Sequence, residues 1–127
     1  MSERPLSPHL QVYKPQLTSV LSIAHRSTGV FLSAGAIYVV YWLYAVAQGG
    51  ESFAMARTIA GHWLGQLVLL GLTFAVFFHT ANGCRHLLWD AGWALELKPV
   101  YQTGWAVVFF SILATAMTWW MITGGAP

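Results

Sequence analysis

Three long apolar stretches, separated by short polar links, dominate the pattern of the chain. Asp, Glu, Lys and Arg are absent from three intervals, residues 27–50, 58–84 and 99–127. A transmembrane helix needs about 20 consecutive apolar residues, and each interval is long enough to supply them. The pattern therefore predicts an all-α integral membrane protein with three transmembrane helices, at about residues 21–47, 59–89 and 101–122.

The segments outside these stretches are too short to form a second domain. We expect residues 1–127 to be a single transmembrane domain that begins with a polar, extended segment over residues 1–20. Three prolines there disfavour a continuous helix: Pro5, Pro8 and Pro15. The chain is 57% hydrophobic and 8% charged, so it has no room for a soluble catalytic domain. Any chemistry must therefore occur in or beside the bilayer.

Basic residues lie mostly at one end of the predicted helices. Five of the six Lys and Arg residues belong to the end that holds the N-terminus. Arg57, in a link predicted at about residues 48–58, lies at the other end. The positive-inside rule therefore predicts that the N-terminus is cytoplasmic, or faces the matrix in a mitochondrion.

The second apolar stretch ends in ionisable side chains, which are costly in hydrocarbon and need partners, a cofactor or a site. They are His79, Arg85, His86 and Asp90. We interpret His79 as a haem ligand, since Gly83, one turn later, would leave room for a porphyrin against the helix. The alternative is a buried histidine bonded to a neighbouring helix. His86 lies about 10 Å further along, so it cannot ligate the same iron, and it could simply be an interfacial histidine.

A b-type haem needs a second axial imidazole. Within the chain only His25 is expected at a similar depth, because His62 lies about 25 Å from His79 at about 1.5 Å per residue. A histidine of another subunit is the alternative. The third predicted helix has no ionisable side chain other than Tyr101 and is assigned no chemistry.

Ser22, His25 and Arg26 share one face of the first predicted helix, because three- and four-residue steps bring side chains together. Ser22 could cap this helix or could face the same pocket as Arg26. The guanidinium groups of Arg26 and Arg85 could reach lipid headgroups. Either could instead pair with haem propionates, or stabilise a quinone oxygen as it gains negative charge during reduction.

Three blocks of sequence, in this order, resemble the cytochrome b subunit family of succinate dehydrogenase, which anchors respiratory complex II. They are RPLSPHLQVYKP at 4–15, SIAHRSTG at 22–29 and HxxxGxRHLxxD at 79–90. Together with the three spans they cover nearly the whole chain. The early prolines and the short N-terminus, which lacks an Arg- and Ser-rich transit peptide, favour a bacterial inner membrane over a mitochondrial one.

The resemblance implies that His79 is an axial ligand of one haem b, whose other ligand comes from a second membrane anchor subunit. His25 is then expected near the haem propionates. Ser22 and Arg26 are expected to line the ubiquinone site, together with the iron–sulfur subunit and the second anchor. We assign six residues to the haem site: His25, Arg26, His79, Gly83, Arg85 and His86.

The resemblance also implies the path of electrons in the complex. They pass from succinate, at an FAD-containing flavoprotein subunit, through iron–sulfur clusters to ubiquinone, as a step of electron transport and the tricarboxylic acid cycle. The chain would then be an enzyme only as a subunit that binds no dicarboxylate, with partner subunits and the bilayer around it. We expect no nucleic-acid partner. Two alternatives are a haem-free anchor that only docks soluble subunits and a fumarate reductase anchor that uses a low-potential quinol.

Overall fold

The computed structural model describes residues 14–124, which form four helices. Their bounds are α1 Leu17–Gln48, α2 Gly50–Gly61, α3 Trp63–Asp90 and α4 Leu97–Gly124. The described residues contain no β-strand. This part of the chain is therefore all-α, as the charge pattern predicts.

Three of the helices, α1, α3 and α4, are long and apolar enough to cross a membrane. Both α3 and α4 have 28 residues, which corresponds to about 42 Å of helix against a hydrocarbon core of about 30 Å. Large apolar side chains such as Val30, Leu67 and Phe109 are more than half exposed on these helices. Lipid can cover such a surface, and water cannot without a large cost. The prediction of an all-α integral membrane protein with three transmembrane helices is confirmed.

The predicted link at residues 48–58 is not an irregular loop, because most of it belongs to the helix α2, which connects the first two spans. Gly49 and Gly50 have φ angles of 63° and 49°, a conformation that suits glycine and lets the chain turn sharply after α1. Glu51 lies in the first turn of α2, where its negative charge interacts favourably with the positive end of the helix dipole. Ala56 and Ala60, one turn apart, are buried, so α2 packs through small side chains.

The second transmembrane helix begins at Trp63 and not near residue 59, because the chain breaks at His62. His62 has an extended backbone, and its Nδ1 accepts a hydrogen bond from the Leu64 N–H at 3.3 Å. Gln66 Nε2 donates to the Ala60 carbonyl at 2.6 Å and so satisfies an acceptor at the end of α2. These contacts stabilise a tight turn between α2 and α3.

The other helix ends also differ from prediction. Residues 14–16 are not helical, and α1 begins at Leu17, so Ser22 lies inside the helix and does not cap it. The predicted segment over residues 1–20 otherwise lies largely outside the described residues. At the other link α4 begins at Leu97 and includes Pro99, because proline is tolerated in the first turn of a helix. That the chain is one domain stays a prediction.

The interior is small and lies where α1, α3 and α4 meet. Leu21, Phe78 and Val107 form its buried centre. A Cβ on Gly104 would stand 3.0 Å from side-chain atoms of Leu17 and Leu21, so this glycine allows α1 and α4 to approach closely. We call this end of the bundle, with Lys14, Arg26, Arg85 and Lys98, the basic end. The opposite end is the α2 end.

We predict that Gly65→Ala destabilises the protein by about 1–3 kcal/mol, the usual cost of overpacking. A Cβ at this position would overlap the Ile59 carbonyl oxygen, a backbone atom that cannot rotate away. Gly61→Ala is the matched control, because a Cβ there would meet no atom within 4 Å. Thermal unfolding of the purified complexes would compare them. A Gly65→Ala midpoint equal to that of Gly61→Ala would contradict this account of the turn.

Candidate functional site

One histidine of α1 and two of α3 come together between these helices. The rings of His25 and His79 are stacked, with centroids 3.9 Å apart and planes inclined by 9°. The ring of His86 lies 5.3 Å from that of His25 at an angle of 53°. The structure therefore places His25, His79 and His86 in one cluster, whereas His62 stands at the turn between α2 and α3.

The hydrogen bonds of His79 define which ring nitrogen carries the proton. Its Nδ1 lies 3.1 Å from the His25 carbonyl oxygen and 3.2 Å from Thr28 Oγ1. A carbonyl oxygen can only accept, and the Thr28 hydroxyl donates its own proton to backbone carbonyls of α1. Nδ1 of His79 is therefore the donor, which leaves the lone pair of Nε2 free. A histidine that ligates a metal is oriented in this way.

Two glycines set the space around these rings. A Cβ on Gly29 would stand 3.1 Å from Cε1 of His79, so α1 needs a glycine there for the imidazole to lie against it. A Cβ on Gly83 would stand 3.9 Å from Cε1 of His25, which is an ordinary contact. The face of α3 at Gly83, where the sequence suggested room for a porphyrin, is thus next to the His25 ring.

The stacked arrangement has a consequence for metal binding. Two imidazoles that ligate one haem iron point their nitrogens at each other from opposite sides of the porphyrin plane. Rings stacked 3.9 Å apart lie side by side instead. In this arrangement His25 and His79 are not opposite ligands of one iron. Among the described residues no group of three or more His, Cys, Asp or Glu side chains could hold a metal ion.

Ser22 and Arg26 lie one turn apart on α1 at the basic end. Arg26 is exposed, and its Nε donates to the Ser22 carbonyl oxygen at 3.4 Å. The terminal nitrogens of the Arg26 guanidinium have no hydrogen bond within the described part of the chain. They are therefore free to bind an oxygen atom of a ligand or of another subunit.

Arg85 occupies a different environment, because its side chain is only 4% exposed. Nε donates to Thr103 Oγ1 at 3.0 Å, and a terminal nitrogen donates to the Val100 carbonyl at 2.9 Å. The guanidinium also stacks 4.0 Å from the ring centroid of Trp89. These contacts connect α3 to the start of α4. Arg85 therefore stabilises the bundle and does not extend from α3 towards lipid headgroups.

Sequence reasoning missed the residues that hold this cluster. Asn82 is fully buried, and its Oδ1 accepts from Arg85 at 3.4 Å while its Nδ2 lies 3.4 Å from Nε2 of His86. Asn82 stands one turn from both His79 and His86, a spacing that indicates a shared helix face. Thr28 likewise lies about one turn from His25 on α1. The partner of Arg85 on α4, Thr103, carries no sequence signal, because only the packing brings it near.

Two buried nitrogens in this region have no hydrogen-bond partner among residues 14–124, Nδ1 of His25 and Nε1 of Trp89. Buried polar atoms are nearly always satisfied, so an unpaired one needs an explanation. The ring centroids of Trp89 and His86 lie 5.0 Å apart. One unpaired nitrogen therefore belongs to the histidine cluster and the other lies beside it. Polar groups from a ligand or from another chain would satisfy them.

Comparisons with known proteins relate the chain to membrane subunits. Residues 1–118 match the family model described as succinate dehydrogenase/fumarate reductase transmembrane subunit. A succinate dehydrogenase cytochrome b556 subunit of Rickettsia conorii is 39% identical over 118 residues, which cover 93% of this chain and 92% of the relative. The protein of the same name from Paracoccus denitrificans is 38% identical over 115 residues, 91% of this chain and 88% of the relative.

A mitochondrial relative is also similar. The succinate dehydrogenase cytochrome B subunit of Schizosaccharomyces pombe is 42% identical over 118 residues. The match covers 88% of this chain and 65% of that protein. The likeness therefore extends across bacterial and mitochondrial proteins.

We predict that Arg85→Lys destabilises the protein by about 2 kcal/mol. A lysine cannot reach both Thr103 and Val100 as the planar guanidinium does, and buried acceptors that lose their donor cost roughly 1–3 kcal/mol. Arg26→Lys is the control, because Arg26 is exposed. Thermal unfolding in detergent measures both. If the two variants unfold at the same temperature, the structural role of Arg85 is wrong.

Proposed function

The chain belongs to the succinate dehydrogenase/fumarate reductase transmembrane subunit family, and from this membership we propose that it is the cytochrome b anchor of a succinate:ubiquinone oxidoreductase. In this role the chain holds haem b together with a second anchor subunit. It also contributes to the site where ubiquinone is reduced. It binds no dicarboxylate.

The orientation of His79 is the observation that carries the haem proposal. Its Nδ1–H is held by the His25 carbonyl and Thr28, so Nε2 presents a lone pair suited to an iron ligand. We therefore infer that the residues present fit haem b, which His79 of this chain would ligate. A bound haem b would supply a centre that accepts and releases one electron.

A second ligand of the haem iron would come from the second anchor subunit. The stacking of His25 on His79 argues against an intrachain pair, and His62 lies at the far end of α3. His25 instead has a buried Nδ1 in need of a partner, for which a haem propionate is suitable. The proposed haem site also includes Arg26, Gly83, Arg85 and His86.

The ubiquinone proposal rests on Ser22 and Arg26. Both lie at the basic end on one face of α1, and the exposed guanidinium has uncommitted N–H groups. A cation that donates to a quinone oxygen stabilises the negative charge that develops there during reduction. The Ser22 hydroxyl, one turn away, would orient the quinone. The iron–sulfur subunit and the second anchor complete the site.

The other cofactors belong to partner subunits in this scheme. FAD is held by the flavoprotein subunit, where succinate is oxidised, and the iron–sulfur subunit carries electrons to the basic end. The charge distribution supports a cytoplasmic N-terminus, since Lys14, Arg26, Arg85 and Lys98 share that end. We propose a multi-pass protein of a bacterial inner membrane. A mitochondrial inner membrane is the alternative.

Fumarate reductase is the second candidate, because the matched family includes its transmembrane subunits. Such an anchor would deliver electrons from a low-potential quinol towards fumarate. The quinone extracted with the complex, and the favoured direction of catalysis, distinguish the two. The other alternative is an anchor that binds no haem and only docks soluble subunits. The optical spectrum of its purified complex would lack a Soret band.

For the haem assignment, His79→Ala is expected to remove or shift the b-type bands in the reduced-minus-oxidised optical spectrum of the purified complex. The alanine variant lacks the only proposed iron ligand of this chain. His62→Asn is the control, since asparagine can still cap α3 and the position is far from the site. An unchanged spectrum in His79→Ala would assign the iron ligand elsewhere.

For the quinone assignment, Arg26→Ala is expected to lower succinate:ubiquinone reductase activity by about tenfold or more, the effect of losing one charged hydrogen bond. Oxidation of succinate by an artificial acceptor should be unchanged, because that reaction bypasses the membrane site. Arg57→Ala removes a cation at the α2 end and serves as the control. Equal loss of both activities in Arg26→Ala would refute the quinone role.

A further inference from the structure

Asn82 lies on α3 between the buried guanidinium of Arg85 and the histidine cluster. Its side chain is fully buried, and a buried amide is costly unless its polar atoms are used. Oδ1 accepts from a terminal nitrogen of Arg85, and Nδ2 lies 3.4 Å from Nε2 of His86. Both neighbours are within about one turn of Asn82 on α3, so the three side chains share a helix face. Asn82 therefore connects the network that holds α3 to α4 with one ring of the cluster.

The contact with Arg85 determines which way the amide of Asn82 is oriented. A guanidinium can only donate hydrogen bonds, so the amide atom that faces it is the oxygen. The amide nitrogen, which can only donate, then faces Nε2 of His86. Nε2 must accept this bond, and the proton of the neutral ring is therefore on Nδ1. Asn82 thus makes Nδ1 of His86 a hydrogen-bond donor.

This Nδ1–H group has no acceptor in the described part of the chain. It is not one of the two unpaired nitrogens that are buried, so it reaches the surface of the bundle. The ring of His86 lies 5.3 Å from that of His25, which stacks on His79. The donor therefore borders the proposed haem site. A carboxylate is a strong acceptor for such a donor, and haem b carries carboxylates as its propionate groups.

We propose that Asn82 is a positioning residue, which through its bond to Nε2 presents Nδ1–H of His86 as a donor to a haem propionate. This inference rests on the proposed function, because it requires haem b in the complex. The negative charge of a propionate stabilises the oxidised, more positive iron. A hydrogen bond disperses that charge. The donor that Asn82 holds in place therefore raises the midpoint potential of the haem.

Redox titration of the haem bands in the purified complex tests this role. Asn82→Leu keeps a branched side chain but removes the amide, so the His86 ring loses the bond that orients it. The ratio of oxidised to reduced haem at a fixed potential is expected to rise about three- to tenfold, the range for one ordinary hydrogen bond. For a one-electron couple this change lowers the midpoint potential by about 30–59 mV.

A double-mutant cycle separates this role from a general loosening of the bundle. His86→Phe keeps an aromatic ring beside Trp89 but has no ring nitrogen, so it should lower the midpoint potential by a similar amount. Adding Asn82→Leu to His86→Phe should then give no further shift, because no donor remains to be oriented. Shifts that add in the double variant would overturn the proposal, since Asn82 would then not act through His86.

Thr115→Val is the matched control for the loss of a buried polar group. Thr115 is 7% exposed, and its hydroxyl donates to the Ser111 carbonyl of its own helix at 2.7 Å. The midpoint potential should be unchanged in this variant. Asn82→Ala is the second variant if the bulkier leucine does not assemble, and the same shift is expected.

The failure of this inference can be distinguished from the failure of the proposed function. If the complex contains haem b and neither Asn82 variant changes its midpoint potential, the positioning role is wrong and the haem assignment stands. An acceptor unrelated to haem, such as a lipid headgroup, would give that result. Absence of haem from the unaltered complex would overturn both.

Discussion

The hydrogen bond from Nδ1 of His79 to the His25 carbonyl oxygen connects α3 to α1 inside the membrane. Hydrocarbon offers no partner for a polar group, so an imidazole at this depth must be satisfied by the protein. The carbonyl and Thr28 satisfy one nitrogen and thereby define the free one. The close approach that makes this bond requires Gly29, whose missing side chain leaves space for the ring.

The same constraint explains the buried guanidinium of Arg85. A charge within the bundle needs several hydrogen bonds at once, and the first turns of α4 supply Thr103 and Val100. Asn82 extends this network to His86. The network and the apolar centre around Leu21 and Val107 lie at the same end of the bundle. The polar groups therefore stabilise the helix packing that also holds the histidine cluster.

The spans were predictable because hydrocarbon thickness requires long uncharged stretches, and the three intervals stand out in the sequence. The helix α2 was missed, because Glu51 and Arg57 interrupt the apolar pattern that marks the spans, although the segment contains residues that favour a helix, such as Met55. In the site, helical spacing correctly placed Ser22, His25 and Arg26 on one helix. The stacking of His25 on His79 and the role of Thr103 depend on tertiary contacts, which spacing along one helix cannot reveal.

In the proposed complex His79 would supply one ligand of a haem iron whose other ligand belongs to a different chain. Electron paramagnetic resonance of the oxidised complex with His25→Phe tests it most directly. Phenylalanine can stack on His79 and retains the backbone carbonyl, but it cannot bind iron. The low-spin signal of a haem with two imidazole ligands is expected to persist in this variant. Conversion to a high-spin signal would contradict it, because His25 would then be the second ligand.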